Sequence, residues 1–405
     1  MSNDTSKSSP RGWRIARFGD VVRNVKVDVD PETSGLERYI AGEHMETDNL
    51  HIRQWGTIGD GYLGPAFHRK FVKGQVLYGS RRTYLRKVAM AEFDGICANT
   101  TFVLETQEGV LLQELLPFVM QTEGFTQHSI LHSKGSVNPY VNWKDIACYE
   151  FPLPPLGEQR RIVDILWAAD QAIQYAQTVL SSVQALRTSV REETICNPEY
   201  PRRRLDACLH NIVAGKSVRG RNEPAGPDEF GVLKVSAVGP NKFVPEENKT
   251  LLDFGDFLPQ FKVRAGDVLI TRCNTRELVG RVCITSSAHD NLMLCDKTLR
   301  LDIRENVATR GFVVEALRSR EARLQIEAAA SGTGGAMKNI SQADIRGFII
   351  PLPDVEVQRH IESAIAETVA AQRAVESHLE RSRALFRTLL GKLLNHCRIE
   401  EPPHP

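Results

Sequence analysis

Two long stretches of the chain carry apolar residues at alternating spacings of four and three, which is typical of a heptad seam. The first seam runs over 162–190, with one polar interruption at Arg187, and Asn197-Pro198 ends it. The second runs in the same frame over 361–393, with polar residues in its middle. Each stretch of about 40 residues would form a helix of roughly 60 Å. So long a helix overhangs a domain of ordinary size, so the two seams are predicted to pack on each other rather than each on its own domain.

Short runs of β-type composition, punctuated by glycine, precede each long stretch. They lie at 76–78 and 101–104 in the first half and at 268–270 and 282–284 in the second. Short helices are predicted between such runs at 111–121 and 311–330. Because the regular βαβ alternation of a doubly wound sheet is missing, the predicted fold class is α+β.

The chain repeats one strand-to-helix junction. "FPLPPLGEQRRIVDIL" at 151–166 returns as "IIPLPDVEVQRHIESAI" at 349–365, at an offset of 199 residues (351 − 152). The same offset relates Asp145-Ile146 to Asp344-Ile345. Upstream, "GQVLYGSRRT" at 74–83 resembles "GDVLITRCNT" at 266–275. Matches that keep their order along the chain indicate a tandem duplication.

The repeat predicts two tandem heads of mixed α/β texture, joined by two long helices. The helices are expected to pair as an antiparallel coiled coil, with an approximate twofold relating the halves. The predicted boundaries are 1–154 for the first head, 155–198 for the first helix, 199–353 for the second head and 354–397 for the second helix.

Composition adds few constraints. The 405 residues are 41% hydrophobic and 25% charged, as in ordinary globular proteins, and no apolar run is long enough for a membrane span. The eight cysteines form no CxxC pair, which favours reduced thiols in the cytoplasm. The net charge of +1 does not by itself indicate a nucleic-acid partner, so DNA binding would need a basic stripe that acidic surface elsewhere offsets.

Two loops in each half carry side chains that suit DNA contacts. The first loop, "GSRRTYLRK" at 79–87, and its duplicate, "TRCNTRELVGR" at 271–281, follow predicted strands. Arginine can bind phosphate or make a bidentate contact to guanine, and asparagine can pair with adenine. The candidates are Arg81, Arg82, Tyr84, Arg86 and Lys87 in the first loop, and Arg272, Asn274 and Arg276 in its duplicate. A solvated charged loop is the alternative, and the equivalent positions in the repeat favour a function.

The second loop precedes each junction, as "SKGSVNPYVNW" at 133–143 and "SGTGGAMKNIS" at 331–341. Its candidate phosphate or base contacts are Lys134, Ser136, Asn138 and Tyr140 in the first half, and Thr333, Lys338 and Asn339 in the second. Glycine there would allow a close approach of the backbone to DNA. Ordinary connecting loops are an equal possibility.

The sequence lacks recognisable catalytic motifs. "NPY" at 138–140 lacks the second proline of an adenine or cytosine amino-methyltransferase, and Gly215-Lys216-Ser217 has His210 where a phosphate loop needs its first glycine. His128 and His132 have helical spacing without the glutamate of a zinc protease, which favours an incidental pair. The chain is predicted to be non-catalytic, with no cofactor and no metal of its own.

The motif "PLPPLGEQRRIVDIL", leading into a long helix and repeated after a second variable domain, resembles the specificity (S) subunit of type I restriction-modification systems. The resemblance implies two target recognition domains, each of which reads one half of a bipartite sequence in double-stranded DNA. It also implies that the paired helices set the spacer and dock two modification subunits, which bind S-adenosylmethionine and methylate adenine. Restriction (translocase) subunits would join that core to cleave DNA.

Two other classes of function stay open. The chain could be an enzyme that acts on nucleic acid through an unrecognised site. It could also be a helical scaffold that joins proteins and does not bind DNA.

Overall fold

The structure, a computed structural model, describes residues 12–332 and 337–394, and they belong to two compact units. The first unit comprises the residues up to Gln177 together with those from Ser377 onwards, and the second is Thr178–Glu376. Each unit has its own hydrophobic cores.

The first unit holds two four-stranded sheets. Its strands are β1 (Arg14–Arg17), β2 (Val22–Val25), β3 (Arg38–Ile40), β4 (Gly56–Thr57), β5 (Phe67–Phe71), β6 (Val76–Gly79), β7 (Val88–Met90), β8 (Gly95–Ala98), β9 (Thr101–Thr106) and β10 (Glu150–Leu153). Its helices are α1 (Phe18–Val21), α2 (Leu116–Met120), α3 (Glu123–Leu131), α4 (Trp143–Ile146) and the start of α5 (Leu156–Ile195). The sheets have the orders β2-β9-β6-β7 and β4-β3-β8-β5, and β3 and β8 are parallel. β1 pairs antiparallel with β10, so the beginning of the head lies beside the strand that leads into α5.

The second unit repeats this plan. Its strands are β11 (Arg202–Arg204), β12 (Leu209–Ala214), β13 (Gly220–Arg221), β14 (Gly231–Leu233), β15 (Asn248–Leu251), β16 (Lys262–Val263), β17 (Val268–Thr271), β18 (Cys273–Asn274), β19 (Val282–Ile284), β20 (His289–Met293), β21 (Thr298–Ile303), β22 (Lys338–Asn339) and β23 (Ile349–Pro351). Its helices are α6 (Arg310–Arg318), α7 (Arg320–Ala329), α8 (Gln342–Gly347) and the start of α9 (Val355–Leu394).

The sheet orders of the second unit are β12-β21-β17-β19 and β13-β15-β14-β20-β16, with β14 and β20 parallel. Strand for strand, the first of these matches β2-β9-β6-β7, and β11 pairs with β23 as β1 does with β10. The α+β fold class and the duplicated plan are therefore confirmed. The approximate twofold and the domain boundaries at 154, 198 and 353 stay predictions.

The short helices differ in detail from their predicted bounds. The helix expected at 111–121 covers only Leu116–Met120, because Pro117 stands in its first turn, where proline favours a helix start. A further helix, α3, follows it. The stretch 311–330 forms two helices, since the Ser319 side chain accepts a hydrogen bond from Ala322 N and starts α7 anew.

Both long helices contain 40 residues, and their heptad positions face inwards. In the first unit, Ile162 and Leu166 share a core with Leu390 and Leu394. In the second unit, Ile195 shares a core with the early α9 residues Ile361 and Ile365. The beginning of each helix packs with the end of the other, so the paired segments run antiparallel, as predicted. Residues 395–397 of the predicted second helix lie outside the described residues. Among those described, no helix combines the length and apolar character that a membrane span requires.

The polar interruptions of the two seams meet in the second unit. Arg187 Nη1 donates hydrogen bonds to Gln372 Oε1 at 3.2 Å and to Asn241 Oδ1 at 3.1 Å. Glu315 lies nearby and accepts from Arg191 Nε at 2.7 Å. Burial opposes ionisation of Glu315, yet Arg318 and Arg191 hold the pKa of this carboxyl below its usual range. A buried polar pair of this kind favours one register of the two helices over others.

A buried glutamine stands at the start of each long helix. Gln159 Oε1 accepts from Leu112 N at 2.8 Å, and its Nε2 donates to Val110 O and Pro154 O, both at 2.8 Å. In the second unit Gln358 Oε1 accepts from Thr309 N at 2.8 Å, and its Nε2 donates to the carbonyls of Val307 and Pro353 at 3.0 and 2.8 Å. Both glutamines are fully buried. Each one joins its helix to the proline of the junction and to the chain that leaves the sheet of the head.

We expect Gln159→Ala to lower the free energy of unfolding of the first unit by about 2–4 kcal/mol, because buried backbone groups lose their partners. Gln171→Ala, at an exposed position of the same helix, is the matched control and should change it by less than about 0.5 kcal/mol. Denaturant unfolding measures both. Equal effects of the two substitutions would contradict this role of Gln159.

Candidate nucleic-acid interface

The two candidate loops of the first head lie side by side. Val141 N donates to Ser80 O at 2.9 Å, and Arg82 N donates to Pro139 O at 2.6 Å. Arg81 and Tyr140 pair as an antiparallel bridge. Residues 80–87 and 133–142, which we call the first joined loops, therefore form one continuous surface.

The second head contains the same set of backbone pairings between its two loops, which we call the backbone ladder. Ile340 N donates to Arg272 O at 2.9 Å, in the place of the bond between Val141 and Ser80. Cys273 pairs with Asn339, and Asn274 pairs with Lys338. Residues 272–276 together with 337–341 are the second joined loops. The loops stand at equivalent points of the repeat, but their pairing could not be predicted from the sequence, because 59 residues separate Arg81 from Tyr140 (140 − 81) and 66 separate Cys273 from Asn339 (339 − 273).

The first joined loops expose a mixture of cationic, hydroxyl and aromatic side chains. Arg82 adopts the left-handed conformation (φ 51°), and its Nε donates to Asn138 Oδ1 at 2.9 Å, which ties the two loops together. Arg81 is exposed and makes no ion pair with the described residues. Tyr84, Ser136 and Tyr140 are exposed as well.

Three other candidates of the first head have partners within the protein. Arg86 donates to Asp48 Oδ1 at 2.7 Å, to Glu123 Oε2 at 3.1 Å and to Gln121 O at 2.6 Å. Lys87 Nζ donates to Gly42 O. Lys134 Nζ lies 3.5 Å from a carboxylate oxygen of Asp145, and that carboxyl has a lowered pKa because Asn142 and Lys134 stabilise its charge. Arg86 and Lys87 hold the loop in place, and a DNA contact for either stays a prediction.

The second joined loops present a different set. Arg276 and Asn339 are exposed, and Arg272 is half-buried. Asn274 Oδ1 accepts from Thr275 N at 2.9 Å, and Lys338 Nζ donates to Gly332 O at 3.1 Å. Thr333 lies outside the described residues. DNA contacts by all these residues stay predictions.

A cleft of about 520 Å³ adjoins the first joined loops, and its charge is uniformly positive. Lys26, Arg69, Arg81 and Lys144 line it, without any acidic residue in the lining. Arg69 is buried and bonds Asp28 at 2.8 Å, which lowers the pKa of that carboxyl. Lys26 and Lys144 are exposed and form no ion pair with the described residues. These two lysines could not be found from the sequence pattern, because only the fold brings the residue after β2 and helix α4 to one cleft.

The histidine pair stands at the end of α3, directly before residues 133–142 of the first joined loops. The rings of His128 and His132 stack at 4.1 Å, and His128 Nε2 lies 2.8 Å from Asp145 O. Burial lowers the pKa of His128. Among the described residues, no group of three or more His, Cys, Asp and Glu could hold a metal ion.

The different contacts of two neighbouring arginines predict different effects on stability. Arg86→Gln should lower the free energy of unfolding by about 1–2 kcal/mol, because it removes bonds to a buried carbonyl and to partly exposed carboxylates. Arg81→Gln, the matched control on the same loop, should leave it within about 0.5 kcal/mol of the wild type. Denaturant unfolding of both variants tests this, and a larger loss for Arg81→Gln would contradict the assignment.

Comparison with known proteins agrees with this geometry. Residues 40–185 match the family model of the type I restriction modification DNA specificity domain. The specificity subunit of the type I restriction enzyme EcoEI of Escherichia coli is 29% identical over 181 residues, which cover 44% of this chain and only 30% of that subunit's length. The EcoKI specificity subunit of Escherichia coli K12 is 28% identical over 340 residues, or 73% of this chain and 70% of the relative.

A solved structure from work on a type I R-M system shares the fold. It aligns with 95% of this chain and 98% of its own, at 22% identity and a TM-score of 0.59. The family match and the curated relatives indicate the same family, and the solved structure shows that the fold is shared. The chain therefore carries a type I restriction modification DNA specificity domain, and its predicted resemblance to the specificity subunits of type I systems is confirmed.

Proposed function

We propose that the chain is the DNA sequence-specificity subunit of a type I restriction-modification complex, with each head reading one half of a bipartite target. The observation that carries this proposal is the repeated backbone ladder, which builds an exposed polar surface in each head from different side chains. A shared framework with different donors and acceptors is suited to two different half-sites.

The two surfaces offer different chemistry to base edges. Arg81 lies beside Tyr140, and its guanidinium makes no ion pair with the residues that the structure describes. Such a group can bind guanine O6 and N7 in a bidentate manner. Asn274 occupies the position in the repeat that Arg82 holds in the first head, and an asparagine amide can pair with adenine. We propose that these differences make the two half-sites differ in sequence.

The long helices would set the spacer and dock the partner subunits. The proposed partners are two modification subunits, which bind S-adenosylmethionine and methylate adenine, and restriction (translocase) subunits that join them. The chain itself would supply recognition without a catalytic group or a cofactor, and the complex would act in the cytoplasm. A helical scaffold would need only the paired helices, and an enzyme would need a reactive cluster. Neither of these alternatives accounts for the duplicated ladder.

Exchange of one head tests the proposal. Replacing residues 1–154 with the corresponding segment of another specificity subunit should change one half of the methylated motif and leave the other half intact, because each head has a core made only of its own residues beside the core that it shares with the long helices. The reciprocal control replaces 199–353 and should change only the other half. Methylation mapping of DNA from cells that express each chimera with its modification subunits gives the result. A change in both halves, or in neither, would refute modular recognition.

A further inference from the structure

The cleft beside the first joined loops differs from two other clefts of the same unit because its lining carries only basic charges. A second cleft of the same unit, lined by Asp30 and Glu32, contains no lysine or arginine in its lining. A third, lined in part by α5 and α9 residues of that unit, mixes Asp48 and Asp170 with arginines. In a chain of net charge +1, a cleft with only basic charges in its lining creates a local positive potential that the total conceals.

We propose that this cleft holds the sugar–phosphate backbone of the DNA that flanks the first half-site, with Lys26 and Lys144 neutralising phosphates. The inference rests on the proposed function and assigns a role to two residues outside the joined loops. Arg81 stands where the cleft and the joined loops meet, so a duplex seated on the loops would pass its backbone along the cleft.

The residue types favour phosphate over base edges as the ligand. Lysine is a compact charge on a flexible stem, which suits a phosphate oxygen and carries little geometric information about a base. Asn99 and Thr100, in the turn between β8 and β9, add neutral donors to the same lining. Contacts of this kind fix the position of a protein on the duplex without reading its sequence.

The role predicts a specific dependence on salt. Log affinity falls as log salt concentration rises, and each lost phosphate contact should make this negative slope shallower by about 0.9. Lys26→Gln and Lys144→Gln should therefore each decrease the magnitude of the slope by about 0.9, and the double variant should decrease it by about 1.8. Affinity for specific and non-specific DNA should fall by the same factor, and the methylated motif should not change.

The experiment uses the chain assembled with its modification subunits and measures the dissociation constant for a target duplex and a scrambled duplex from 50 to 200 mM salt. Lys73→Gln is the matched control, because Lys73 is an exposed lysine of the same head, in the turn between β5 and β6 and outside the cleft lining. Its slope should equal that of the wild type. Thermal melting checks that each variant is folded, which is expected because both substituted lysines are exposed.

Two results would overturn the inference while the proposed function stands. In the first, the wild-type complex methylates a bipartite target, but the Lys26 and Lys144 variants show the same salt dependence of DNA affinity as the Lys73→Gln control. The second is a changed methylated motif, which would make the substituted lysine a base contact. If the wild-type complex methylates no bipartite target, the proposed function fails and the inference fails with it.

Discussion

A buried glutamine at the first turn of each long helix is the constraint on which the arrangement of each unit depends. A primary amide in a protein interior must have its donors and acceptor satisfied, and the available partners here are backbone groups. Gln159 and Gln358 each bond to the proline of the junction and to the chain segment that leaves the last strand of the head sheet. Three short bonds in a dry environment fix the direction in which the helix leaves its head. The repeated motif "PLP" followed by glutamine therefore has a structural cause, because each half needs the glutamine to bond its own junction proline and its own head.

The heads combine this fixed frame with variable side chains. The bond from Val141 to Ser80 and that from Ile340 to Arg272 occupy the same place in the two sheets, so the backbone of the joined loops is held in the same way twice. Backbone bonds leave the side chains free to differ, and Arg82 in one head stands where Asn274 stands in the other. Under the proposed function, this arrangement lets a base contact differ between the two heads without any change in the framework.

The sequence predicted those features that depend on local pattern. The heptad seams, the strands around Val76 and Val268, and the repeated junction all follow from periodicity and from matches in order along the chain. The sequence did not predict the break at Ser319, because a single serine cap decides it, nor the partners of Gln159, which lie nearly 50 residues away. From the sequence alone, Arg81 and Arg86 were equal candidates for a DNA contact. Only the tertiary fold separates them, by placing Asp48 and Glu123 beside Arg86 and leaving Arg81 exposed. The basic cleft could not be predicted from the sequence for the same reason, since its two exposed lysines lie far apart along the chain.

The proposed function requires that each head reads its own half of a bipartite target and that the long helices set the spacer between the halves. The most direct measurement is methylation of a DNA library in which all positions of the target region are randomised, with the chain assembled with its modification subunits. The account predicts that the methylated sequences share two short specified blocks, separated by an unspecified gap of one constant length. A single contiguous motif, or two blocks at variable distances, would contradict it.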